Sequence, residues 1–356
     1  MTPDATLARL REYMVGPTRF MNLLCCFELG VIDALGESAG LTAAELGKTL
    51  GVSPDSLEQL LHLPVKEGFV EFDGNSGAYS LGALAGVAKA DLKRVLAFMD
   101  MVKVVILRQV FYLTDSVRTS TVVGLKKLYG FDGNMFGAIA ELEELRESWV
   151  RLAKIETVSV YPWFFENIDI PSGARVLDLL GGDGLGTIMT YQLKASPGLR
   201  VTTFDQPRFE EASLRNFRDH GVEDHCSFIG GNALESIPAG FDVVMIKHFL
   251  DIFDEGEVRN IFKGVNRSLE IGGELILLVA VYPEDIKEPD NYQADFFPAF
   301  ILGCAIGHGG AQKESTYRSW LEDCGFTVTK VITNDPAGRP SDTVITRAIL
   351  HATKTA

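Results

Sequence analysis

Positive charge is scarce in this chain: 33 lysines and arginines stand against 48 aspartates and glutamates, a formal net charge of −15. Nucleic acid and anionic membrane surfaces both demand a positive face, so neither is an expected partner. Cysteine is scarce as well. The five present (Cys25, Cys26, Cys226, Cys304, Cys324) have no metal-ligand spacing and form no even framework, which points to a reducing cytoplasm rather than secretion. Met1-Thr-Pro-Asp4 lacks the basic start and apolar core of a signal peptide. No apolar run approaches the roughly 20 residues that span a bilayer. The richest, Phe296 to Gly307, is too short and contains Pro298. Internal repeats and low-complexity tracts are absent too. What remains is ordinary for a soluble globular protein, with 46% hydrophobic and 23% charged residues. At 356 residues the chain can build two domains, each with its own core.

The first part reads as a small helical domain closed by a hairpin. Leu41-Thr-Ala-Ala-Glu45 is a capping box, Thr42 at the N-cap and Glu45 at N3, opening a helix that runs to Leu50 and stops at Gly51. Ser53-Pro54 starts a second helix, with Leu57, Leu60, Leu61 and Val65 on one face. Gly68–Phe72 and Ala78–Leu81, joined by Asp73-Gly-Asn-Ser-Gly77, predict a two-stranded wing. Helix, turn, helix, wing is a winged-helix arrangement. Its would-be recognition helix, Pro54 to Glu67, carries Asp55, Glu58 and Glu67 against only Lys66 and His62, the wrong sign for phosphates, so a packing or dimerisation role is expected. The preceding stretch, Arg19 to Leu35, predicts a single helix, apolar nearly all round and buried against a second subunit.

Farther along, Arg175-Val-Leu-Asp-Leu-Leu-Gly-Gly-Asp-Gly-Leu-Gly186 reads as a buried strand, a glycine-rich turn and the start of a helix. Gly181, Gly182, Gly184 and Gly186 remove Cβ atoms where the backbone must turn and lie against a ligand. Twenty-one positions after Gly184, the run Val201–Phe204 ends in Asp205, a carboxylate placed to accept both hydroxyls of an adenosine ribose. Asp178, just before the glycines, would repel a pyrophosphate yet suits a cationic ligand, and no Gly-Lys-Ser/Thr follows the turn. An adenosine cofactor with a positive centre and no phosphates satisfies both carboxylates, and S-adenosylmethionine is that molecule. Predicted strands at Arg175–Leu180, Arg200–Phe204, Cys226–Ile229, Phe241–Lys247, Glu274–Ala280, Thr327–Ile332 and Asp342–His351 alternate at first with helices, giving an α/β, doubly wound and mostly parallel sheet.

Taken together, Val-Leu-Asp-Leu-Leu-Gly-Gly-Asp-Gly (176–184), Phe-Asp-Gln-Pro (204–207), Gly-Gly-Asn-Ala (230–233), Phe-Asp-Val-Val-Met-Ile-Lys (241–247), Phe-Asp-Glu (253–255), Gly-Gly-Glu-Leu (272–275) and Cys-Gly-Phe (324–326) resemble one family. It is that of the S-adenosylmethionine-dependent small-molecule O-methyltransferases. The resemblance implies a winged-helix-like dimerisation domain over residues 1–95 and a helical connection contributing to the substrate pocket over 96–165. A Rossmann-like catalytic domain with a seven-stranded, mostly parallel sheet would follow over 166–356. It further implies that Asp178, Gly181, Gly182 and Gly184 lie along the methionine end of the cofactor and Asp205 with Gln206 on the ribose. Asn232 and Ala233 would lie beside the adenine, with Lys247 near the cofactor; Asn232 as a plain turn residue and Lys247 as a surface charge stay open. Leu180 stands where the family usually has another glycine. The partners implied are a small aromatic substrate and a second copy of the chain.

The catalytic set departs from that pattern. An ungapped match puts Asp251 in the place of the family's histidine base, Val279 in that of its partner carboxylate and Thr316 in that of the second carboxylate. Methyl transfer from a sulfonium asks mainly for in-line positioning, but the acceptor still needs electron density. Candidates to supply it are His248 with Asp251, three residues apart, and His308, whose flanking glycines would let it reach into a cavity. Two histidines and an aspartate are also ligand types for a non-haem metal. The His-Asp pair that iron-holding relatives use lacks its histidine here, so no metal is expected. Trp149, Tyr161, Trp163, Phe296, Phe297, Phe300 and Ile301 are expected to wall a pocket for a flat aromatic molecule, each being equally open to a core role. Loss of the base set with the cofactor motif intact favours ring-carbon methylation of a phenol or an aromatic amino or keto acid, tyrosine among them. Oxygen methylation, and use of the cofactor in a reaction without methyl transfer, stay open.

Overall fold

The computed structural model describes residues 2–288, 292–333 and 345–355. The chain divides into two compact units, Met1–Asp100 and Met101–Ala356. In the first, a helix over Pro3–Glu28 is capped by Thr2, and a second covers Val31–Glu37. The single helix expected from Arg19 to Leu35 is therefore two, because Gly30 takes a left-handed φ of 77° and turns the chain between them. The capping box forms as read: Thr42 accepts from Glu45 N and Glu45 reaches back to the Thr42 N–H, opening the helix Ala43–Leu50. Ser53 caps the helix Pro54–Lys66.

The wing gains a strand. β1 (Leu41–Thr42), β2 (Val70–Asp73) and β3 (Ala78–Leu81) form an antiparallel sheet of order β1-β3-β2, where the sequence pattern marks only the hairpin. Cys26, Val31, Leu35, Leu46, Leu57 and Leu61 pack with Val70 into its core.

In the second unit, residues 101–165 belong with the sheet that follows. Within the helical connection Leu142 is extended (φ −99°, ψ 106°) and separates the helices Met135–Glu141 and Glu143–Glu166. The sheet comprises β4 (Arg175–Leu179), β5 (Arg200–Asp205), β6 (Cys226–Gly230), β7 (Phe241–Lys247), β8 (Leu269–Tyr282), β10 (Phe326–Thr333) and β11 (Arg347–Lys354), with the two-residue β9 (Gln312–Lys313) beside β8. Its order is β10-β11-β8-β7-β4-β5-β6. The pairs from β8 to β6 are parallel, and β11 and β10 close one edge antiparallel. The start of the predicted strand Asp342–His351 lies outside the described residues. Strand order reverses between β4 and β7, the point at which open α/β sheets hold their ligands beyond the carboxyl ends. Apolar clusters cover both faces, Leu177, Leu179, Val244 and Leu277 on one and Val176, Val201, Met245 and Leu278 on the other. Among the described residues no helix is long and apolar enough to cross a membrane.

Candidate active site

The turn after β4 sits at that reversal. Leu180 adopts a left-handed φ of 61° while its N–H bonds Phe204 O at 2.8 Å. A glycine would take this backbone without cost; leucine holds it at about 1 kcal/mol of strain. Packing alone demands most of the glycines that follow. A Cβ on Gly181 would lie 2.9 Å from Thr203 Cγ2, and one on Gly184 2.5 Å from the Phe217 ring. Gly186 would meet Lys247 Cε at 2.7 Å and Asp178 Oδ2 at 2.9 Å. Gly182 alone looks onto open space, at φ +57°. At Gly181, Gly184 and Gly186 packing within the protein is thus by itself enough to require glycine, and at Gly182 the left-handed φ is.

Asp178 has its partners within the protein. It is fully buried, ion-paired to Lys247 and bonded by the Thr187 hydroxyl at 3.1 Å, which in turn meets Thr203 Oγ1 at 2.7 Å. Its charge is spent on an internal cation. Lys247, 5% exposed, is accordingly no surface charge; besides Asp178 it lies 5.9 Å from the centre of the Tyr161 ring. Asp205 ends β5 with one oxygen taking the Gly182 N–H at 2.8 Å and the other the Gln206 N–H at 2.6 Å. Burial raises its pKa against the lowering effect of those bonds. A carboxylate offers about four acceptor positions, so two are left. Gln206 itself is exposed.

Asn232 is exposed and its amide is engaged locally, Oδ1 with Leu234 N at 3.1 Å and Nδ2 with Glu235 at 3.0 Å. That is the turn-residue reading. Ala233 is buried in the core beneath.

The other side of the reversal is the end of β7. His248 and Phe249 follow Lys247 at φ +64° and +66°, two successive non-glycine residues in the left-handed region, each costing about 1–2 kcal/mol. His248 stacks on Tyr161, centroids 6.3 Å apart and planes 12° apart. Burial, with the Arg347 and Lys247 cations nearby, pushes its pKa down to about 3, so the imidazole stays neutral. Tyr161 is pushed up by burial and by the charges of Asp178 and Asp183, so its hydroxyl keeps its proton. A short turn over Leu250–Ile252 presents Asp251, whose carboxyl is pushed up by burial.

The expected meeting of His248 with Asp251 brings no hydrogen bond between their side chains among the described residues. His308 is exposed and has no side-chain partner among the described residues, although its loop touches the Asp251 turn through Gly310 N and Asp251 O at 3.1 Å. Val279 is buried core and Thr316 half-buried, so no carboxylate stands at either position. Phe297 and Phe300 are buried at 3% and 6% and packed on Tyr282 and Phe296.

Trp149 and Tyr161 are half-buried, and Trp149 belongs to a run of rings that sequence reasoning missed in part. Trp149 meets Phe136 edge-on at 5.9 Å, and Phe136 meets Phe249 at 5.9 Å. Arg347 was missed as well: 3% exposed at the start of β11, it is ion-paired to Glu156. A lone arginine before an apolar run carries no signal of burial. Among the described residues, no cluster of metal-ligating side chains exists.

A doubly wound sheet with a glycine turn at its switch point and an acidic tip on the next strand defines a nucleoside-binding α/β fold joined to a small helical unit. The chain belongs to the O-methyltransferase family: residues 111–327 match its O-methyltransferase domain and residues 12–88 its dimerisation domain. It is therefore a methyltransferase. Similar proteins include the mitomycin biosynthesis 6-O-methyltransferase of Streptomyces lavendulae, 26% identical over 90% of this chain and 89% of that one. The L-tyrosine C(3)-methyltransferase of the same organism is 22% identical over 88% and 85%. The solved structure of the S-adenosylmethionine-dependent methyltransferase SibL in its apo form superposes with a TM-score of 0.79 at 22% identity, covering 98% of this chain and 100% of that one.

Proposed function

We propose that this methyltransferase uses S-adenosylmethionine to methylate a ring carbon of a small aromatic natural-product precursor, a phenol or an aromatic amino or keto acid. The cofactor fits the residues at the β4–β5 ends. Asp205 retains two acceptor positions for a pair of ribose hydroxyls, and Gly182 leaves room for a ligand backbone. Asp183 and Asp205 have no ion-pair partner among the described residues, which disfavours phosphates and favours a positive centre. When bound, the cofactor supplies a methyl group already activated on sulfur.

The observation that carries the choice of carbon is the absence of a working base at the β7–β8 ends. Asp251 replaces the family's histidine, Val279 and Thr316 offer no carboxylate, and burial with the Arg347 and Lys247 cations nearby makes His248 a weak base. Oxygen methylation gains from removing the phenolic proton before or during attack. Ring-carbon attack draws on the density that a hydroxyl already places ortho to itself, and a ring proton leaves afterwards. Asp251, biased toward its neutral form, is suited to holding the acceptor hydroxyl by a hydrogen bond. His308, at the mouth of the same turn, is suited to passing the released proton to solvent.

The 12–88 domain supports a homodimer, with 1–95 as the joining part, 96–165 as pocket wall and 166–356 as the catalytic part. Light scattering on the purified chain should give twice its 39.0 kDa. The reaction is tested with methyl-labelled cofactor and a panel of phenols, aminophenols and aromatic amino acids. Label on a ring carbon ortho to a hydroxyl is expected. An O-methyl product, the outcome that the mitomycin relative's name favours, would reverse the choice of atom; label remaining in the cofactor while acceptor disappears would remove methyl transfer altogether.

A further inference from the structure

Phe249 is held in a backbone conformation that its own burial does not explain. At φ +66° a phenylalanine is strained, and the residue before it is strained in the same sense. The ring is only half-buried, so core packing is not what the strain secures. What the double left-handed turn achieves is direction. It swings the chain off the end of β7, stacks His248 on Tyr161 and brings the Phe249 ring against Phe136, which meets Trp149. Three separate elements thus contribute half-buried rings to one run: the end of β7, the helix Met135–Glu141 and the helix Glu143–Glu166. Phe249 lies two residues beyond Lys247, which is tied to Asp178 beneath the glycine turn, so the run begins at the sheet's switch point.

We propose that Phe249 is a specificity-determining residue, the face on which the acceptor's aromatic ring stacks, with Phe136 as the edge-on backing that fixes its tilt. Offset and edge-on contacts of this kind hold a planar ring in one orientation, which is the demand of a reaction that must aim one ring atom at a methyl group. The inference rests on the reading of the protein as a methyltransferase of aromatic acceptors and adds which side chains choose among them.

The test uses the full chain in four forms: wild type, Phe249→Gly, Phe249→Tyr and Phe136→Leu. Acceptor KM and kcat are measured with whichever phenol or aromatic amino acid the wild type methylates. S-adenosylhomocysteine affinity is measured by calorimetry, and thermal midpoint by scanning. Phe249→Gly releases the φ strain but loses the half-buried ring and adds unfolded-state entropy, so a modest fall in midpoint with the fold retained is expected. Its acceptor KM should rise at least tenfold with S-adenosylhomocysteine affinity within twofold. Phe249→Tyr should restore KM to within threefold, and Phe136→Leu should raise it by several-fold. A Phe249→Gly KM within twofold of wild type would overturn the proposal, as would parallel losses of acceptor and S-adenosylhomocysteine affinity. Acceptor binding is also followed by tryptophan fluorescence without turnover. A product methylated on oxygen would sink the carbon reading while leaving this inference standing, whereas a wild type that binds no aromatic acceptor would overturn both.

Discussion

At the ends of β4 and β5 each buried polar group has a protein partner: Asp178 holds Lys247 and Thr187, Thr187 holds Thr203, and Asp205 takes two backbone N–H groups. One strand away, at the ends of β7 and β8, burial pushes the ionisable groups toward their uncharged forms instead. His248 is pushed down, Asp251 is pushed up, and two residues stand in strained backbone. The first region is a pre-organised cradle in which Asp178 is balanced by an internal cation while Asp205, held by two backbone N–H groups, keeps its charge for a ligand. The second resembles a mould, shaped by aromatic rings and poor in charge. A site divided this way can keep one ligand constant while the other is set by a few side chains, since changes at the mould leave the cradle's hydrogen bonds intact.

The sharpest way to break the contrast is to unbalance the cradle. Lys247→Met leaves the Asp178 carboxylate buried without its cation, which should cost about 3–5 kcal/mol in urea unfolding. Lys247→Met combined with Asp178→Asn should recover most of it. Equal stability of the single and double variants would mean that the pair is not the organising element.

Acidification probes the mould. In the unfolded chain His248 titrates near 6.5, and in the folded protein its pKa is about 3. Between those values the unfolded state binds a proton that the folded state refuses, so stability falls as pH drops through that window, by about 1.4 kcal/mol per pH unit. Asparagine tolerates a left-handed φ and does not titrate. His248→Asn should therefore lose about 2 kcal/mol less than wild type between pH 6.5 and 5, read from urea midpoints at each pH. Parallel curves would show that the imidazole titrates as freely folded as unfolded.

Asp205→Ala bears on the cradle's ligand as well as on the loop whose Gly182 N–H it accepts. Removing the acceptor of two hydroxyl hydrogen bonds should weaken S-adenosylhomocysteine by at least tenfold, about 1.4 kcal/mol, in calorimetry. The comparison sharpens if His248→Asn leaves that affinity unchanged.

The two regions also differ in how far the sequence discloses them. Strand runs, capping boxes and the spacing from Gly184 to Asp205 are local signals, and they located the sheet, the helical unit and the cradle. Which way a buried group faces is a tertiary matter. Nothing in Asp178 or Lys247 alone says that each is the other's counter-ion across 69 positions. Gly184 could be read as glycine, but the Phe217 ring that demands it comes from a later helix. At the mould, His308 looked well placed because glycines flank it, yet flexibility beside a residue does not set its exposure. Phe136 and Phe249 went unnoticed because only the fold makes their rings meet.

Leu180 is the smallest test and the cleanest, since it lies on the cradle but shares the mould's strained backbone. Leu180→Ala and Leu180→Gly delete the same partly buried isopropyl group and differ by one Cβ, so packing losses nearly cancel between them. What differs is the left-handed φ, which alanine must hold under strain and glycine holds freely, against the greater entropy glycine brings to the unfolded chain. Strain of about 1 kcal/mol or more outweighs that entropy of about 0.5–1 kcal/mol only narrowly. The glycine variant should therefore be equal to or more stable than the alanine variant by up to about 1 kcal/mol, the reverse of the order in a helix or strand. A clear advantage for alanine in thermal unfolding would mean that the turn after β4 relaxes out of the left-handed region, and with it the bond from Leu180 N to Phe204 O that fixes the loop beside Asp205.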